Sequence, residues 1–241
     1  MTRPRAGASL AARVEALDWD GLREGLDARG FAVTAPLLTA RECRALAALF
    51  EGGRFRSTIE MARYRFGEGS YRYFDHPLPP EVAELRAALY ARLAPVANAW
   101  RELLGQAPEF PPQHAELLAR CRAAGQVRPT PLLLRYGAGG WNALHQDLYG
   151  DVVFPLQAAG LLSAPGVDFD GGEIVLHEQR PRAQSRAHVV TPPRGAFVVF
   201  ASDQHPARGA RGWHRVKMRH GVSTIARGSR TTLGIIFHDA R

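Results

Sequence analysis

The chain has 241 residues, of which 46% are hydrophobic and 22% charged, and its 31 basic and 23 acidic residues give a formal net charge of +8. This composition predicts a soluble globular protein and argues against a disordered chain, while the presence of only two cysteines argues against a disulfide framework. No run of about 18 apolar residues occurs, so we expect no membrane span, and the charged, amphipathic N-terminus argues against a secretory signal. A cytoplasmic protein is expected, and a monomer is favoured.

The basic excess is a first indication of a partner. A net positive charge favours polyanions such as nucleic acid. All basic residues except Lys217 are arginines, however, and alanine is abundant, a composition that a GC-rich genome also produces. The positions of the arginines must therefore decide between the two interpretations.

Residues 1–129 are predicted to be mainly helical. In chain order, the predicted elements are a helix over 9–30, a strand at 31–34, a helix over 40–51, a helix over 80–104 bent at Pro95, and a helix over 113–125. The first helix stops at Gly30, since glycine favours the left-handed conformation that ends helices. Thr39 and Glu42 have the spacing of a capping box, which satisfies backbone N–H groups at the start of the next helix.

From residue 130 the pattern changes to short apolar or alternating runs separated by Gly, Pro and Asp. These runs cover 131–136, 151–163, 171–178, 195–201, 220–226 and 230–238. Such a pattern predicts a pair of antiparallel sheets, a jelly roll or a barrel. We therefore expect a mainly β protein with N-terminal helices: one domain over 1–241, in which 1–129 is a helical support and possible substrate lid and 130–241 is a catalytic jelly-roll core.

The stretch RYGAGGWNALHQD, residues 135–147, places a His and an Asp two positions apart after a Gly-rich turn. Non-haem iron(II) prefers two imidazoles and one carboxylate on one face, which leaves positions for a chelating cosubstrate and oxygen. His145 and Asp147, two apart at a strand end, can both reach one ion, and the second imidazole must come from a later strand. His220 is favoured over its rival His214, because Arg230 follows His220 after ten residues, as a β-hairpin that carries one ligand and one cationic anchor would require.

On these residues the chain resembles the 2-oxoglutarate and iron(II)-dependent dioxygenases. The resemblance implies that His145, Asp147 and His220 bind the iron, and that Arg230 binds the far carboxylate of 2-oxoglutarate, with O2 as the oxidant. Within that superfamily, the chain is similar to the AlkB-type nucleic-acid demethylases, which carry a Tyr nine residues before the His. This similarity implies that Tyr136 contacts the cosubstrate.

The chain is also similar to a bacterial family of nucleic-acid oxygenases, Oxygenase-NA, proposed to act on damaged DNA. Both similarities imply oxidative demethylation of alkylated DNA or another nucleic acid, hence DNA repair. Two AlkB positions differ, since Leu134 stands for an Asn and Ile236 for an Arg, and the interval from His220 to Arg230 is the one seen in prolyl-hydroxylase-like members. A hydroxylase of a protein side chain or small molecule, or a catalytically silent jelly-roll binding module, are therefore the alternatives.

Residues 54–74 interleave arginines with aromatic residues and form the candidate substrate segment. Arg63 and Arg65 offer phosphate contacts, and Tyr71 and Tyr73 offer stacking faces. The segment is either a lid over the site or a hairpin with a core of aromatic rings. Two later basic segments are expected near the mouth of the site: residues 180–186, and residues 208–219 with Arg208, Arg211, Arg215, Lys217 and Arg219. The predicted partner is nucleic acid, with DNA favoured.

Overall fold

The computed structural model describes residues 7–210 and 212–241. Residues 1–6, part of the N-terminal stretch considered for a secretory signal, and Arg211, one of the basic residues expected near the site, lie outside the described residues. Within the described ranges, no helix combines the length and the apolar character that crossing a bilayer requires.

The helices lie in the first half of the chain, as predicted. They are α1 Leu10–Glu15, α2 Trp19–Arg29, α3 Ala40–Gly52, α4 Pro80–Leu103 and α5 His114–Ala123, with a 3-10 helix at Met61–Tyr64. The single helix expected over 9–30 is two helices, because Asp18 caps the backbone N–H of Gly21 and starts a new helix there. Gly30 ends α2 with a φ of 74°, and the capping box of Thr39 and Glu42 at α3 is confirmed.

The strands form two main sheets and a short pair. The strands are β1 Phe31–Val33, β2 Phe55–Glu60, β3 Gly67–Glu68, β4 Ser70–Phe74, β5 Leu132–Tyr136, β6 Trp141–His145, β7 Leu156–Leu161, β8 Phe169–Gly171, β9 Ile174–Gln179, β10 Arg186–Val190, β11 Phe197–Ala201, β12 Gln204–Gly209, β13 Gly212–Val222, β14 Ile225–Gly228 and β15 Arg230–Ile236. One sheet has the order β1-β11-β7-β15-β5-β4-β2, the second has the order β10-β9-β13-β6-β3 with β12 beside β13, and β14 pairs with β8.

The chain crosses repeatedly between the two main sheets. Strands β5, β7, β11 and β15 lie in the seven-stranded sheet, whereas β6, β9, β10 and β13 lie in the six-stranded sheet. This interleaving of antiparallel strands is the double-stranded β-helix, or jelly roll, and the predicted fold class is confirmed. The first half also contributes strands: β1, β2 and β4 extend the larger sheet, and β3 extends the smaller one.

The predicted β-hairpin between His220 and Arg230 is wrong. His220 lies on β13 in the six-stranded sheet and Arg230 starts β15 in the seven-stranded sheet, so the ten-residue interval crosses from one sheet to the other. The intervening strand β14 pairs with β8 instead. This crossing places the two side chains on facing sheets, where they converge on the space between them.

The helices pack on the seven-stranded sheet and form the main core with it. Every residue of β15 is buried, and Leu233 and Ile235 belong to the same apolar cluster as Leu85 and Leu89 of α4. A buried ion pair, with Arg86 Nη2 2.8 Å from Asp239 Oδ1, joins α4 to the chain just after β15. This layer supports one sheet from behind and leaves the space between the sheets for a site.

Candidate active site

Two histidines and one aspartate converge between the sheets. His145 at the end of β6 and His220 on β13 are direct partners in the antiparallel register, so their side chains share one face, and their ring centroids are 4.1 Å apart. Asp147 follows in the loop, with Oδ2 3.2 Å from His220 Nε2 and Oδ1 3.7 Å from His145 Nε2. The ligand atoms of the three residues all lie within 4.8 Å of one another. His214, the rival for the distal position, is not in this group.

The charge states of the cluster suit a divalent cation. Burial raises the pKa of the Asp147 carboxyl, but the hydrogen bond from His220, the nearby His145 and the hydroxyl of Tyr149 outweigh burial and hold the pKa well below its ordinary value. Burial and the neighbouring His220 lower the pKa of His145. The carboxylate is thus ionised and the His145 imidazole neutral, as metal ligands must be. The contact of His145 Nδ1 with the carbonyl of Ala143, at 2.8 Å, leaves Nε2 for a metal.

The loop after Asp147 is held mainly by Tyr149 and Gln126, which the sequence did not single out. The hydroxyl of Tyr149 donates to Asp147 Oδ1 at 2.7 Å and accepts from the hydroxyl of Tyr73 at 3.1 Å. Gln126 is fully buried, and its amide bonds this loop: Oε1 accepts from the N–H groups of Asp151 and Val152, and the two hydrogens of Nε2 are shared among the carbonyls of Tyr149 and Val152 and that of Asp239 after β15. An aromatic residue two positions after Asp147 was the one sequence signal for Tyr149; Gln126 had none.

Arg230 lies at the other end of the same space, and no residue in the described part of the chain acts as its counter-ion. Its side chain is 2% exposed, Nη1 donates to Thr232 Oγ1 at 2.6 Å, and Nε has no hydrogen-bond partner. Burial lowers the pKa of Arg230 to about 10, so the guanidinium stays charged at neutral pH. Among the described residues, no carboxylate forms an ion pair with it. A buried, unpaired cation is costly, and an anionic ligand would satisfy it.

One cavity of about 340 Å³ joins the histidine cluster to Arg230. Tyr136 lines it beside Arg230, is fully buried, and accepts a hydrogen bond from Asn142 at 3.3 Å. The lining of the cavity includes four further aromatic residues, Phe66, Tyr71, Tyr73 and Tyr149, beside aliphatic ones. The donor set of two imidazoles and a carboxylate suits iron(II). The guanidinium of Arg230, which forms no ion pair with a described residue, suits the carboxylate of a dicarboxylic cosubstrate.

The predicted substrate segment, residues 54–74, is divided between cavity wall and exposed turn. The hairpin of β2 and β4 extends the larger sheet, and its Tyr71 and Tyr73 line the cavity. Arg63 and Arg65 lie in the exposed turn between the two strands and do not line the cavity. The segment is therefore neither wholly a lid nor wholly a core hairpin, because its strands pack in the sheet and its turn is exposed to solvent.

Other residues of the same segment have structural contacts. Arg56 lies 4.4 Å from the centre of the Tyr73 ring and donates to the carbonyl of Pro129. Arg72 stacks on Phe50 and donates to its carbonyl. Phe66, another aromatic residue of the interleaved pattern, lines the cavity and stacks on the exposed Tyr64, with ring centroids 5.6 Å apart. These contacts show which members of the interleaved pattern belong to the packed part.

Comparisons with known proteins agree with this geometry. The model of the Oxygenase-NA family, described as an oxygenase catalysing oxidative methylation of damaged DNA, matches residues 69–240. Two uncharacterized proteins of Mycobacterium tuberculosis, from two strains, are each 49% identical to the chain over 167 residues, which cover 69% of this chain and 72% of theirs.

Solved structures share the fold at low sequence identity. A Pseudomonas putida prolyl-4-hydroxylase has a TM-score of 0.56 at 19% identity, covering 92% of this chain and 99% of that one. A 2OG-Fe(II) oxygenase family oxidoreductase from Burkholderia pseudomallei has a TM-score of 0.53 at 16% identity, covering 99% and 96%. A Trichoplax adhaerens prolyl hydroxylase, solved with a peptide fragment of hypoxia inducible factor, has a TM-score of 0.55 at 15% identity, covering 95% and 92%.

Proposed function

We propose that this chain, which belongs to the Oxygenase-NA family, removes alkyl groups from nucleic-acid bases by oxidation, with DNA as the favoured substrate. It is a 2-oxoglutarate- and iron(II)-dependent dioxygenase. When bound, iron and 2-oxoglutarate activate O2, so that 2-oxoglutarate becomes succinate and carbon dioxide while one oxygen atom enters a substrate C–H bond. The observation that supports the proposal most directly is that one cavity contains both the His–Asp–His cluster and the buried Arg230, which forms no ion pair with a described residue.

Each residue of the cavity has a distinct part. His145, Asp147 and His220 hold the iron. Arg230 pairs with the far carboxylate of 2-oxoglutarate, a charge-assisted bond to which a guanidinium is suited. Tyr136 accepts from Asn142, which leaves its own hydroxyl proton to donate to the same carboxylate. The buried walls exclude water from the reacting centre.

The aromatic end of the cavity suits a flat ring. A base must leave the stack before an enzyme can act on it, and aromatic side chains replace the stacking that the base loses. Phe66 and Tyr71 line the same cavity as Asp147 and supply such faces. Oxidation of an N-methyl C–H bond on the base yields an N-hydroxymethyl group, which breaks its C–N bond and leaves as formaldehyde. The products of the whole reaction are then the repaired base, formaldehyde, succinate and carbon dioxide.

A hydroxylase of a protein side chain is the second candidate. Two structures that share the fold are named prolyl hydroxylases, one of them solved with a peptide, and the ten-residue interval from His220 to Arg230 is the one seen in prolyl-hydroxylase-like enzymes. The two candidates differ in products, because only demethylation releases formaldehyde.

Purified protein, iron(II) and 2-oxoglutarate are incubated with N-methylated DNA and RNA oligonucleotides, with their unmethylated counterparts and with proline-containing peptides. We expect succinate and formaldehyde in equal amounts from methylated oligonucleotides alone. His145→Ala and Asp147→Ala should abolish succinate formation, whereas His214→Ala, on the same strand as His220 but outside the cluster, should retain it. Succinate formation with peptides only would replace demethylation with protein hydroxylation, and none with any substrate would favour a silent binding module.

The aromatic wall has its own test. Tyr71→Ala should weaken binding of a methylated oligonucleotide by about 1–3 kcal/mol, the value of one base stacked on an aromatic ring. Tyr73→Ala should lose binding and thermal stability together, because Tyr73 is also packed against Arg56 and Tyr149. Equal losses of stability in both variants would mean that Tyr71 is a core residue and does not contact the substrate.

A further inference from the structure

The strand that carries His220 also carries a row of basic side chains on its opposite face. Along β13, the buried Val216 and Met218 alternate with the exposed Arg215, Lys217 and Arg219. Successive side chains of a strand point to opposite faces of the sheet. The three charges therefore share the face that points away from the cavity.

Two further exposed residues extend this row at the end of the β12–β13 hairpin. Trp213, 40% exposed, has the same parity along β13 as the three basic residues, and Arg208 of β12 is its direct partner in the register. Directly opposed residues of antiparallel strands present their side chains on one face. We call the surface formed by Arg208, Trp213, Arg215, Lys217 and Arg219 the outer basic face.

Among the described residues of strands β9, β10 and β12, no acidic side chain lies at an outward position next to this face. On β9, β10 and β12 these positions are Val175, His177, Gln179, Ala187, Val189, Gln204 and Pro206. Glu178, the acidic residue of β9, is buried and paired with Arg180 and His188. Within the described part of the chain, no ion pair involves any basic residue of the outer basic face.

Neighbouring charges of this row lie close enough to act together. Alternate residues of a strand are about 7 Å apart, which is less than the screening length of about 8–10 Å at physiological salt. Charges of one sign at this spacing repel one another, and this repulsion is relieved only by salt or by a bound polyanion. Trp213 adds a flat aromatic surface on the same side, which a solvated charged face does not need.

We propose that the outer basic face binds the phosphate backbone of the strand that flanks the reacting nucleotide. The inference rests on the proposed function, because it assigns a second contact surface to the same nucleic acid. From His220 to Trp213 the strand covers about 24 Å, since each residue advances about 3.4 Å. At about 3.4 Å per nucleotide along a duplex strand, this length matches about seven nucleotides. Arg215, Lys217 and Arg219 pair with phosphates, and Trp213 stacks on a base or sugar.

The test compares two variants that lose the same charge. The face variant combines Arg215→Gln, Lys217→Gln and Arg219→Gln. The control variant combines Arg41→Gln, Arg44→Gln and Arg122→Gln, because these arginines are exposed on α3 and α5. Fluorescence anisotropy measures the binding of a labelled single-stranded oligonucleotide of about twelve nucleotides, and of a trinucleotide, over a range of about 50–200 mM salt.

We expect the face variant to bind the longer oligonucleotide at least about tenfold more weakly at low salt, with a slope of log K against log salt reduced by about 2 for three lost contacts. The trinucleotide should bind both variants like the original protein, because it is too short to leave the cavity mouth. A charge-preserving variant, Arg215→Lys with Lys217→Arg and Arg219→Lys, should restore most of the affinity. Thermal unfolding should show no loss of stability in any variant, so that weaker binding by the face variant does not come from unfolding.

If the face variant and the control lose the same affinity for the longer oligonucleotide, the outer basic face is not a specific binding surface, while the proposed function stays intact. Salt-independent binding, or no binding, by the original protein would overturn the proposed nucleic-acid substrate itself. Sedimentation with vesicles of phosphatidylserine and phosphatidylcholine provides the other outcome. Vesicle binding that is lost in the face variant, with oligonucleotide binding unchanged, would assign the surface to anionic lipid and overturn the inference.

Discussion

The two ends of the cavity are built in different ways. At the closed end, Arg230 and Tyr136 are nearly or fully buried and are direct partners on the central strands β15 and β5. At the open end, Phe66 lies in the turn of a hairpin and is 46% exposed, and Tyr149 lies in the loop after β6. The closed end is therefore positioned by a sheet, whereas the open end is positioned by side-chain hydrogen bonds to loops.

This difference corresponds to the division of labour in the proposed function. Side chains on paired central strands cannot slip, because a change of register by one residue would turn them to the other face of the sheet. Such a frame suits a cosubstrate that is the same in every turnover. Loop and turn residues are free to vary without disturbing the sheet, which suits the part that recognises the substrate. The following predictions test whether the two ends are as separate as their construction indicates.

The largest effect is expected at the closed end. Arg230→Met should weaken 2-oxoglutarate binding at least about 100-fold, in line with about 2–5 kcal/mol for truncating one partner of a buried charge pair. The same change removes an uncompensated buried cation, so the ligand-free protein should unfold at an unchanged or higher temperature. Calorimetric titration and thermal unfolding measure the two effects. Arg227→Gln, at an exposed arginine paired with Asp170, is the control and should change neither. If Arg230→Met binds 2-oxoglutarate with unaltered affinity, the closed end is not the binding site of the cosubstrate carboxylate.

The next effect concerns the buried amide beneath the open end. Gln126→Ala should lower the free energy of unfolding by about 2–4 kcal/mol, because buried backbone groups of the 149–152 loop and of Asp239 lose their partners. Urea denaturation measures this loss. Gln106→Ala, at an exposed glutamine, should stay within about 0.5 kcal/mol of the original protein. A stable Gln126→Ala variant would show that other contacts hold the loop.

A smaller effect is expected from the hydroxyl of Tyr149. Tyr149→Phe removes the hydrogen bond to Asp147 Oδ1 and should lower cobalt(II) affinity about 10- to 100-fold, the usual range when a partner of a metal ligand is lost. Cobalt(II) is a convenient probe because its absorption in the visible range reports binding without turnover. Tyr64→Phe, at an exposed tyrosine, is the matched control. Equal cobalt affinities in the two variants would contradict a positioning role for Tyr149.

The smallest effect is expected at the exposed turn of the open end. Arg63→Ala and Arg65→Asn should each lower the salt slope of oligonucleotide binding by about one, if each removes one phosphate contact, and should leave 2-oxoglutarate binding unchanged. Asn is chosen at residue 65 because the backbone there has a φ of 59°, a conformation that Asn tolerates well. A loss of 2-oxoglutarate affinity in either variant would show that the two ends are coupled.

Local patterns in the sequence predicted the fold class and the three residues of the His–Asp–His cluster, which the structure brings together. His145 and Asp147 are two residues apart, so the local geometry of a strand end brings them together, and Arg230 followed from the interval after His220. The capping box of Thr39 and Glu42 was likewise readable, because both of its hydrogen bonds lie within one helical turn.

The tertiary structure decided what depends on partners distant in the chain. Gln126 lies 23 residues from Tyr149 and 113 from Asp239, and nothing local marks it as the residue that bonds both. The arginines and aromatic residues of 54–74 follow one pattern in the sequence, yet β2 and β4 pack against the sheet while the turn between them stays exposed. The crossing of the chain from one sheet to the other between His220 and Arg230 could not be predicted either, because the spacing of two residues does not reveal whether their strands pair with each other or lie in facing sheets. Pairing between distant strands depends on the burial of the whole apolar surface, which no short stretch of sequence contains.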